Sequence, residues 1–353
     1  MRFRAAPFSF LLFLALLAFA AHAGVAEPPA RGDSARAIGI IDWYGLNRLQ
    51  PDQLRRAINV KEGTTVTPDT AEPLRKAVEK RVAAVDEVSR AQATLVCCEQ
   101  NRLILYVGVQ EEGAPTIAFR PAPMGTVRLS DDTVQAGQEL DRAIEAAVQR
   151  GNASEDDSEG HSLARDPAIR GVQEHFLRYA DEHLLDLRAV LHDCADAQQR
   201  ALAAIIIGYV TDKQAVVGDL VSAMSDPDSG TRNNAMRTLA VFTFMVPSQT
   251  RTVPRVPYEP FIALLHSLDW TDRNKAAATL MGLSTHRDPA LFAQLRERAM
   301  QPLVEMARWR SLGHAGMALQ ILGRMGGLSE SDLSSAINSG EREALIRAAL
   351  QSR

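Results

Sequence analysis

Asp196-Ala-Gln-Gln-Arg200 leads into an apolar run containing Ala203, Asp228-Ser-Gly-Thr-Arg232 into one containing Ala235, and Asp272-Arg273 into one containing Ala276. An acidic or turn segment, an Arg, and an Ala three residues later thus recur three times, with Arg-to-Arg spacings of 32 and 41 residues. Repetition at a few tens of residues marks a stacked array, in which no unit buries its apolar face alone and neighbours close a continuous core. Such a chain presents surface, and nothing in the pattern itself demands a reaction.

Outward from these repeats, the N-terminus reads as a secretory leader over residues 1–23. Arg2 and Arg4 give a positive start, Phe8 to Ala21 is apolar, and Ala21-His22-Ala23 fits a small-x-small cleavage site, so the mature chain is expected to begin at Gly24. The apolar run is shorter than the roughly 20 residues that span a bilayer. Loss of the leader takes two Arg from 39 basic residues and leaves 37 against 43 acidic ones, about six net negative charges. That balance, with export, disfavours nucleic acid as a partner. The expected location is the periplasm, with secretion as the alternative, and no integral span is expected in the mature chain. With 46% apolar residues and few aromatics, the composition suits helices and two domains.

In an exported chain three Cys are an odd number, so the expectation is buried thiols or one cross-domain disulfide, Cys194 with Cys97 or with Cys98. On a strand, Cys97 and Cys98 point to opposite faces, and a direct bridge between them would strain the local backbone.

After a spacer at 24–35, residues 36–113 read as a small α+β domain of order β-α-α-β-β. Ile38, Ile40 and Asp42 alternate with Gly39, Ile41 and Trp43 up to Tyr44-Gly45, and a short helix follows from Pro51 to Ile58. Thr67 caps a second helix with Pro68 in its first turn and Leu74, Val78, Val82 and Val85 as its apolar stripe. Strands at 91–98 and 103–110 flank the turn Glu99-Gln-Asn-Arg102, with Leu103, Leu105, Val107 and Val109 on one face and Ile104 and Tyr106 on the other. The stretch from Ile41 to Gly63, with Tyr44-Gly45-Leu46, Leu54, Ile58 and Lys61-Glu62-Gly63, resembles POTRA domains, exported modules found beside barrel-assembly and secretion machinery. The resemblance implies a sheet edge able to accept a partner strand. No barrel follows in this sequence, so a direct role in barrel assembly is not expected.

Residues 114–164 read as a linker holding one helix, 131–150, and a polar, acidic, solvated loop, 151–160. From 165 to 351 the pattern predicts paired helices: first members near 197–209, 229–244, 271–284 and 311–324, second members near 213–225, 258–267, 289–307 and 330–337. These resemble HEAT repeats, an α-solenoid family, and the chain as a whole resembles bacterial secreted HEAT-repeat proteins. Arg200, Arg232 and Arg273 match the family's Arg, and Asp228 and Asp272 its acid, which implies Asp-to-Arg bridges between stacked units. The fourth unit departs, with Leu312 at the Arg position although Ala315 is kept, as suits a terminal cap.

No HExxH, GxSxG, P-loop or GxGxxG occurs, and the eight His are dispersed, so no catalytic residue, cofactor or metal ligand is assigned. Two clusters stand out at helix starts, Trp270-Thr-Asp-Arg273-Asn-Lys275 and Arg308-Trp309-Arg310-Ser-Leu-Gly-His314. Trp and Arg dominate protein contacts, so Trp270, Trp309 and Arg310, with Tyr258, Phe261 and Arg296, are candidates for binding a partner; stacking and capping between repeats is the competing reading. The expectation is a non-catalytic interaction scaffold of the cell envelope that binds a protein or peptide on its solenoid. The alternative is a solenoid-based hydrolase or lyase, which a clustered set of perturbed titratable groups would favour.

Overall fold

A computed structural model describes residues 35–152, 154–249 and 251–352. The leader at 1–23 and nearly all of the spacer at 24–35 lie outside the described residues. A four-stranded mixed sheet near the N-terminus is followed by a largely helical C-terminal region. The sheet is built from β1 (Arg36–Tyr44), β2 (Thr65–Val66), β3 (Val88–Glu99) and β4 (Arg102–Glu111) in the order β2-β1-β4-β3. β1 runs parallel to β4, and the other two pairings are antiparallel.

The alternation in β4 places its residues as expected. Leu105, Val107 and Val109 join Ile38, Ile41 and Trp43 in a core closed by α1 (Pro51–Ile58) and α2 (Pro68–Val82). Ile104 and Tyr106, with Tyr44 and Val96, face the other way into the core of the helical region. A register shift between Ile38 and Ile40 puts Ile38 and Ile41 on one face although three positions separate them. Gly63 takes φ +89° in the turn after α1, a left-handed conformation that suits Gly. Val78 and Val82 are fully buried, so the α2 stripe covers the sheet as its spacing demands.

The helical region begins with α3 (Asp131–Gln149) and a two-residue hairpin, β5 (Glu155–Asp156) and β6 (Leu163–Ala164). There follow α4 (Pro167–Glu182), α5 (Leu184–Asp193), α6 (Ala197–Ile206), α7 (Gln214–Ala223), α8 (Ser229–Thr243), α9 (Glu259–Leu264) and α10 (Trp270–Ser284). Then come α11 (Pro289–Arg298), α12 (Met300–Ala307), α13 (Leu312–Met325), α14 (Glu330–Asn338) and α15 (Arg342–Gln351). The expected helix 289–307 is two helices broken at Ala299, and α15 had no counterpart in the sequence reading.

The first helices stack in the order α6, α8, α10, α13. Thr231, Asn234 and Thr238 of α8 bond the carbonyls of Ala197, Ala201 and Ala204 of α6 at 3.4, 2.9 and 2.9 Å. The bonds advance together along both helices, which therefore run parallel. Ala203, Ala235, Ala276 and Ala315 are all fully buried, and their small side chains permit this close approach.

The repeated Arg residues form a ladder between units. Each reaches back to the carbonyl six residues earlier, Arg200 to Cys194, Arg232 to Asp226 and Arg273 to Ser267. Each also reaches forward along the chain to an acid, Arg200 to Asp226, Arg232 to Asp272 at the start of the next first helix, and Arg273 to Glu305 of α12. Asp228, expected as a ladder acid, instead caps α8 by accepting from Thr231 N at 2.7 Å. The reason is local: the N-cap geometry turns its carboxylate onto its own helix, and Asp226, two residues earlier, faces Arg200.

The stretch read as a linker is bound along much of its length. Arg120 pairs with Asp226 at 2.7 Å, the Phe119 ring lies 3.8 Å from the Arg232 guanidinium carbon, and Gly125 bridges Cys194. The residues between β4 and α3 thus cross the helix starts like a strap. Nor is the acidic loop a solvated one: Glu155 pairs with Arg237, and Asp157 accepts from Ser162 at 2.6 Å.

The expected bridge to Cys194 is not formed. Cys194 is a free, buried thiol at the end of α5, enclosed by the strap, whereas Cys97 is disulfide-bonded near the end of the edge strand β3, where Arg36 Nη1 donates to its Sγ at 3.1 Å.

Candidate functional site

The two clusters singled out in the sequence lie at the starts of α10 and α13, and the structure brings them together beneath the sheet. Trp270 is stacked on the Tyr106 ring with centroids 5.1 Å apart, and Trp309 lies 4.8 Å from the same ring and 6.2 Å from Tyr44. Trp309 Nε1 donates to the Trp43 carbonyl at 3.2 Å, and Tyr44 donates its hydroxyl to the Leu268 carbonyl at 2.7 Å. Trp270 and Trp309 are therefore buried, and the surface role expected of them is corrected: what they grip is the chain's own sheet. Phe261, also expected at a surface, is fully buried, because residues 259–264 pack into the helical core.

The ladder ends in this junction. Glu305 accepts from Arg273 at 3.0 Å and from the backbone N–H groups of Gly45 and Leu46 at 2.8 and 3.2 Å. Gly45 has φ +81°, and a Cβ there would fall 2.2 Å from the Val109 carbonyl oxygen, so only Gly lets the chain turn out of β1 and present both amides. Burial holds the Glu305 carboxyl above the ordinary carboxylate range, against the pull of Arg273 and the two amides. Beside it, Asp42 accepts the Arg310 backbone N–H at 2.7 Å, and the half-exposed Arg310 guanidinium pairs with Asp42 and Glu62. Arg310 thus also serves the junction.

A second layer of the cluster is chemically unusual. Tyr106 Oη and His314 Nδ1 are 2.8 Å apart, and burial, reinforced by the charge of Lys275, lowers His314 to about 4. Lys275 is only 2% exposed, and among the described residues its ammonium has no hydrogen bond and no salt bridge. Burial and the charge of Arg237 push it well below the usual lysine value, with Glu155 opposing. Two buried side-chain atoms on α10, Trp270 Nε1 and Asn274 Oδ1, have no partner among the described residues. His314 occupies the place in its unit that Lys275 and Asn234 occupy in theirs, two residues after the ladder position. That equivalence was readable in the sequence; the burial of Lys275 and His314 was not.

The remaining candidates lie elsewhere. Tyr258 is partly exposed and lines a cleft of about 540 Å³ with Val253, Pro254, Arg255, Leu283 and Leu291. Arg296 donates to the Met325 carbonyl at 3.2 Å and to Ser352 Oγ at 3.3 Å, which ties α11 to the C-terminal helices. Among the described residues no group of three or more His, Cys, Asp or Glu could hold a metal ion, and no helix is long and apolar enough to cross a membrane. No protein-family model and no curated protein matches the chain.

The junction titrates in a defined direction. An unfolded His binds its proton near pH 6.5, whereas His314 and the buried His161 do so only at about 4, so the unfolded chain holds more protons between these values and stability falls as pH drops from 6.5 toward 4. Asp42 and Glu305, both raised by burial, act with the opposite sign and offset part of this loss. Thermal midpoints measured from pH 7.5 to 5 are expected to decline, with His314→Gln flattening the curve; a midpoint independent of pH in wild type would contradict the burial of neutral His314.

Proposed function

We propose that the chain is an exported, non-catalytic scaffold of the bacterial cell envelope, a POTRA-like sheet unit docked on a HEAT-type solenoid that holds a short, extended segment of a protein partner. The observation that carries this reading is the cleft at Tyr258. Its lining combines Val253, Pro254, Val256, Pro257, Leu283 and Leu291 with Arg255, Glu259, His286 and Asp288. A mostly apolar lining with a few polar groups suits a peptide-binding groove, and the volume lies within the ordinary range for ligand sites. The Arg ladder and the strap support the same reading, since a rigid frame lowers the entropic cost of binding.

The outer rim of β3 is a second contact site on this view. β3 is an edge strand whose rim is bonded by α2 at one residue, Ala93, through Arg75 to its carbonyl and Glu79 to its amide, both at 2.9 Å. Such a rim accepts an added strand.

The test is photo-crosslinking in the native envelope from a reactive residue placed at Tyr258, with Leu350 as a remote exposed control. A single protein captured at 258 and absent at 350, and lost on Leu291→Asp, is the expected result. Identical capture at both positions, or none at 258, would remove the cleft as the partner site.

A further inference from the structure

We infer that the hairpin of β5 and β6 is an acid-released clamp on the wall of the Tyr258 cleft, with His161 near its tip as the sensor. This deepens the scaffold reading and rests on it for the role of the cleft, while the clamp itself stands on the contacts of residues 155–164. Several contacts seat the tip. Ser158 accepts the Val246 N–H at 2.9 Å, Glu159 pairs with Arg251 at 3.0 Å, and Tyr209 donates its hydroxyl to the Ser162 carbonyl at 2.9 Å. Gly160 lies so close to the helical region that a Cβ there would fall 2.7 Å from Met245 Sδ. Arg251 stands two residues before Val253, where the cleft wall of Val253, Pro254, Val256 and Pro257 begins. What the tip holds is therefore the chain that leads into that wall.

His161 lies inside this seat. Its ring is 5.7 Å from that of Tyr209, its side chain is 9% exposed, and its Nε2 is buried with no hydrogen bond among the described residues. Four charged groups face it. Lys213 comes from the start of α7 and Arg251 from the chain after α8, both positive, while Glu159 and Asp156 come from the hairpin itself. The Glu159 carboxylate is 3.9 Å from Nε2, beyond hydrogen-bond reach, and Arg251 already holds its other oxygen. Asp156 accepts the Ser158 N–H at 3.0 Å, and the buried Lys213 ammonium is fixed by the Gly208 carbonyl at 2.9 Å.

A proton on His161 thus adds a third cation to a seat whose carboxylates are engaged, and does so out of water. Swinging the tip outward removes both costs, because the imidazolium then reaches solvent. The sign follows from linkage: the released His161 binds its proton near pH 6.5 and the seated one at about 4, so the seat is firm above pH 6.5 and weakens as pH falls toward 4. On these values the ratio of released to seated hairpin rises roughly thirtyfold between pH 7.5 and 5. Asp157, bonded by Ser162 Oγ and raised by burial, acts in the opposite sense and offsets part of that rise.

The experiment follows amide hydrogen exchange of the full chain, without ligand and at residue resolution, at pH 7.5 and 5. Protection factors divide out the intrinsic pH dependence of exchange. In wild type the Val246 amide is expected to lose at least about fivefold of its protection at pH 5, with Leu187 and Ala235 of the buried stack remaining better protected at both values. His161→Gln and His161→Phe, the second keeping a ring against Tyr209, are expected to protect Val246 equally at the two pH values. Protection at Val246 that ignores pH in wild type, that falls as far in whichever variant folds, or that falls only in step with Leu187 and Ala235 would overturn the clamp. Crosslinking from position 258 reads the cleft independently, so its failure beside a positive exchange result would remove the scaffold reading and leave the clamp.

Discussion

Arg232→Ala is expected to destabilise the helical stack by about 3–5 kcal/mol, the cost typical of removing one partner from a buried ion pair. Arg232 is 2% exposed, and its guanidinium bonds both oxygens of Asp272 at 2.9 to 3.1 Å, Asp269 at 3.0 Å, and the carbonyls of Asp226 and Pro227. Asp272 is wholly buried and keeps only Ser267 Oγ when the Arg is gone. The loss is therefore dominated by an uncompensated carboxylate, together with two bare carbonyls and the contact with Phe119 in the strap. Urea denaturation of the single variant measures it. The double variant Arg232→Met with Asp272→Leu separates the causes, because an apolar pair of similar volume removes the stranded charge and should recover most of the loss. A single variant within 1 kcal/mol of wild type would mean that the ladder carries little of the stability.

Trp309→Ala is expected to cost about 3–5 kcal/mol, in the range for deleting a buried large aromatic, and to uncouple the sheet from the helices. Its ring contacts Tyr44 and Tyr106, and its Nε1 holds the Trp43 carbonyl, so the substitution opens a cavity at the centre of the junction and leaves a carbonyl unpaired. The whole sheet rests on this face, which makes the consequence one of cooperativity as well as stability. Calorimetry should show one transition in wild type and two in the variant, with the sheet melting first. Amide hydrogen exchange should rise at Gly45 and Leu46, whose N–H groups depend on Glu305. A single transition, shifted but not split, would place the coupling in the Arg310, Asp42 and Glu305 contacts instead.

Much of this architecture was legible in residue patterns, and the failures have physical causes. The Arg and Ala repeat located the first helices because a ladder ion pair and a close helix approach each demand a particular residue at a particular turn, and Arg200, Arg232 and Arg273 stand where expected. Asp228 was misread because N-caps and ladder acids are the same residue type two positions apart, and only the direction of the carboxylate separates them. Glu305 was missed because it lies in a second helix with no repeat signal. Trp270 and Trp309 stood out as candidates for a partner surface but pack on the chain's own sheet, because a sequence cannot say whether the surface such a side chain meets belongs to another protein or to the same chain.

Local periodicity alone was enough for three of the four strands of the sheet, the two faces of β4, the cap of α2 and the stacked first helices, since each depends on residues within a few turns of one another, whereas the two-residue β2 is too short to show a period. Tertiary structure alone decided that the second face of the sheet is covered, that the strap crosses the helix starts, that Cys194 is not bridged, and that Lys275 and His314 are buried. Those outcomes turn on contacts between residues up to some 270 positions apart, such as Arg310 with Asp42, and no local pattern encodes which distant surface will remove a side chain from water.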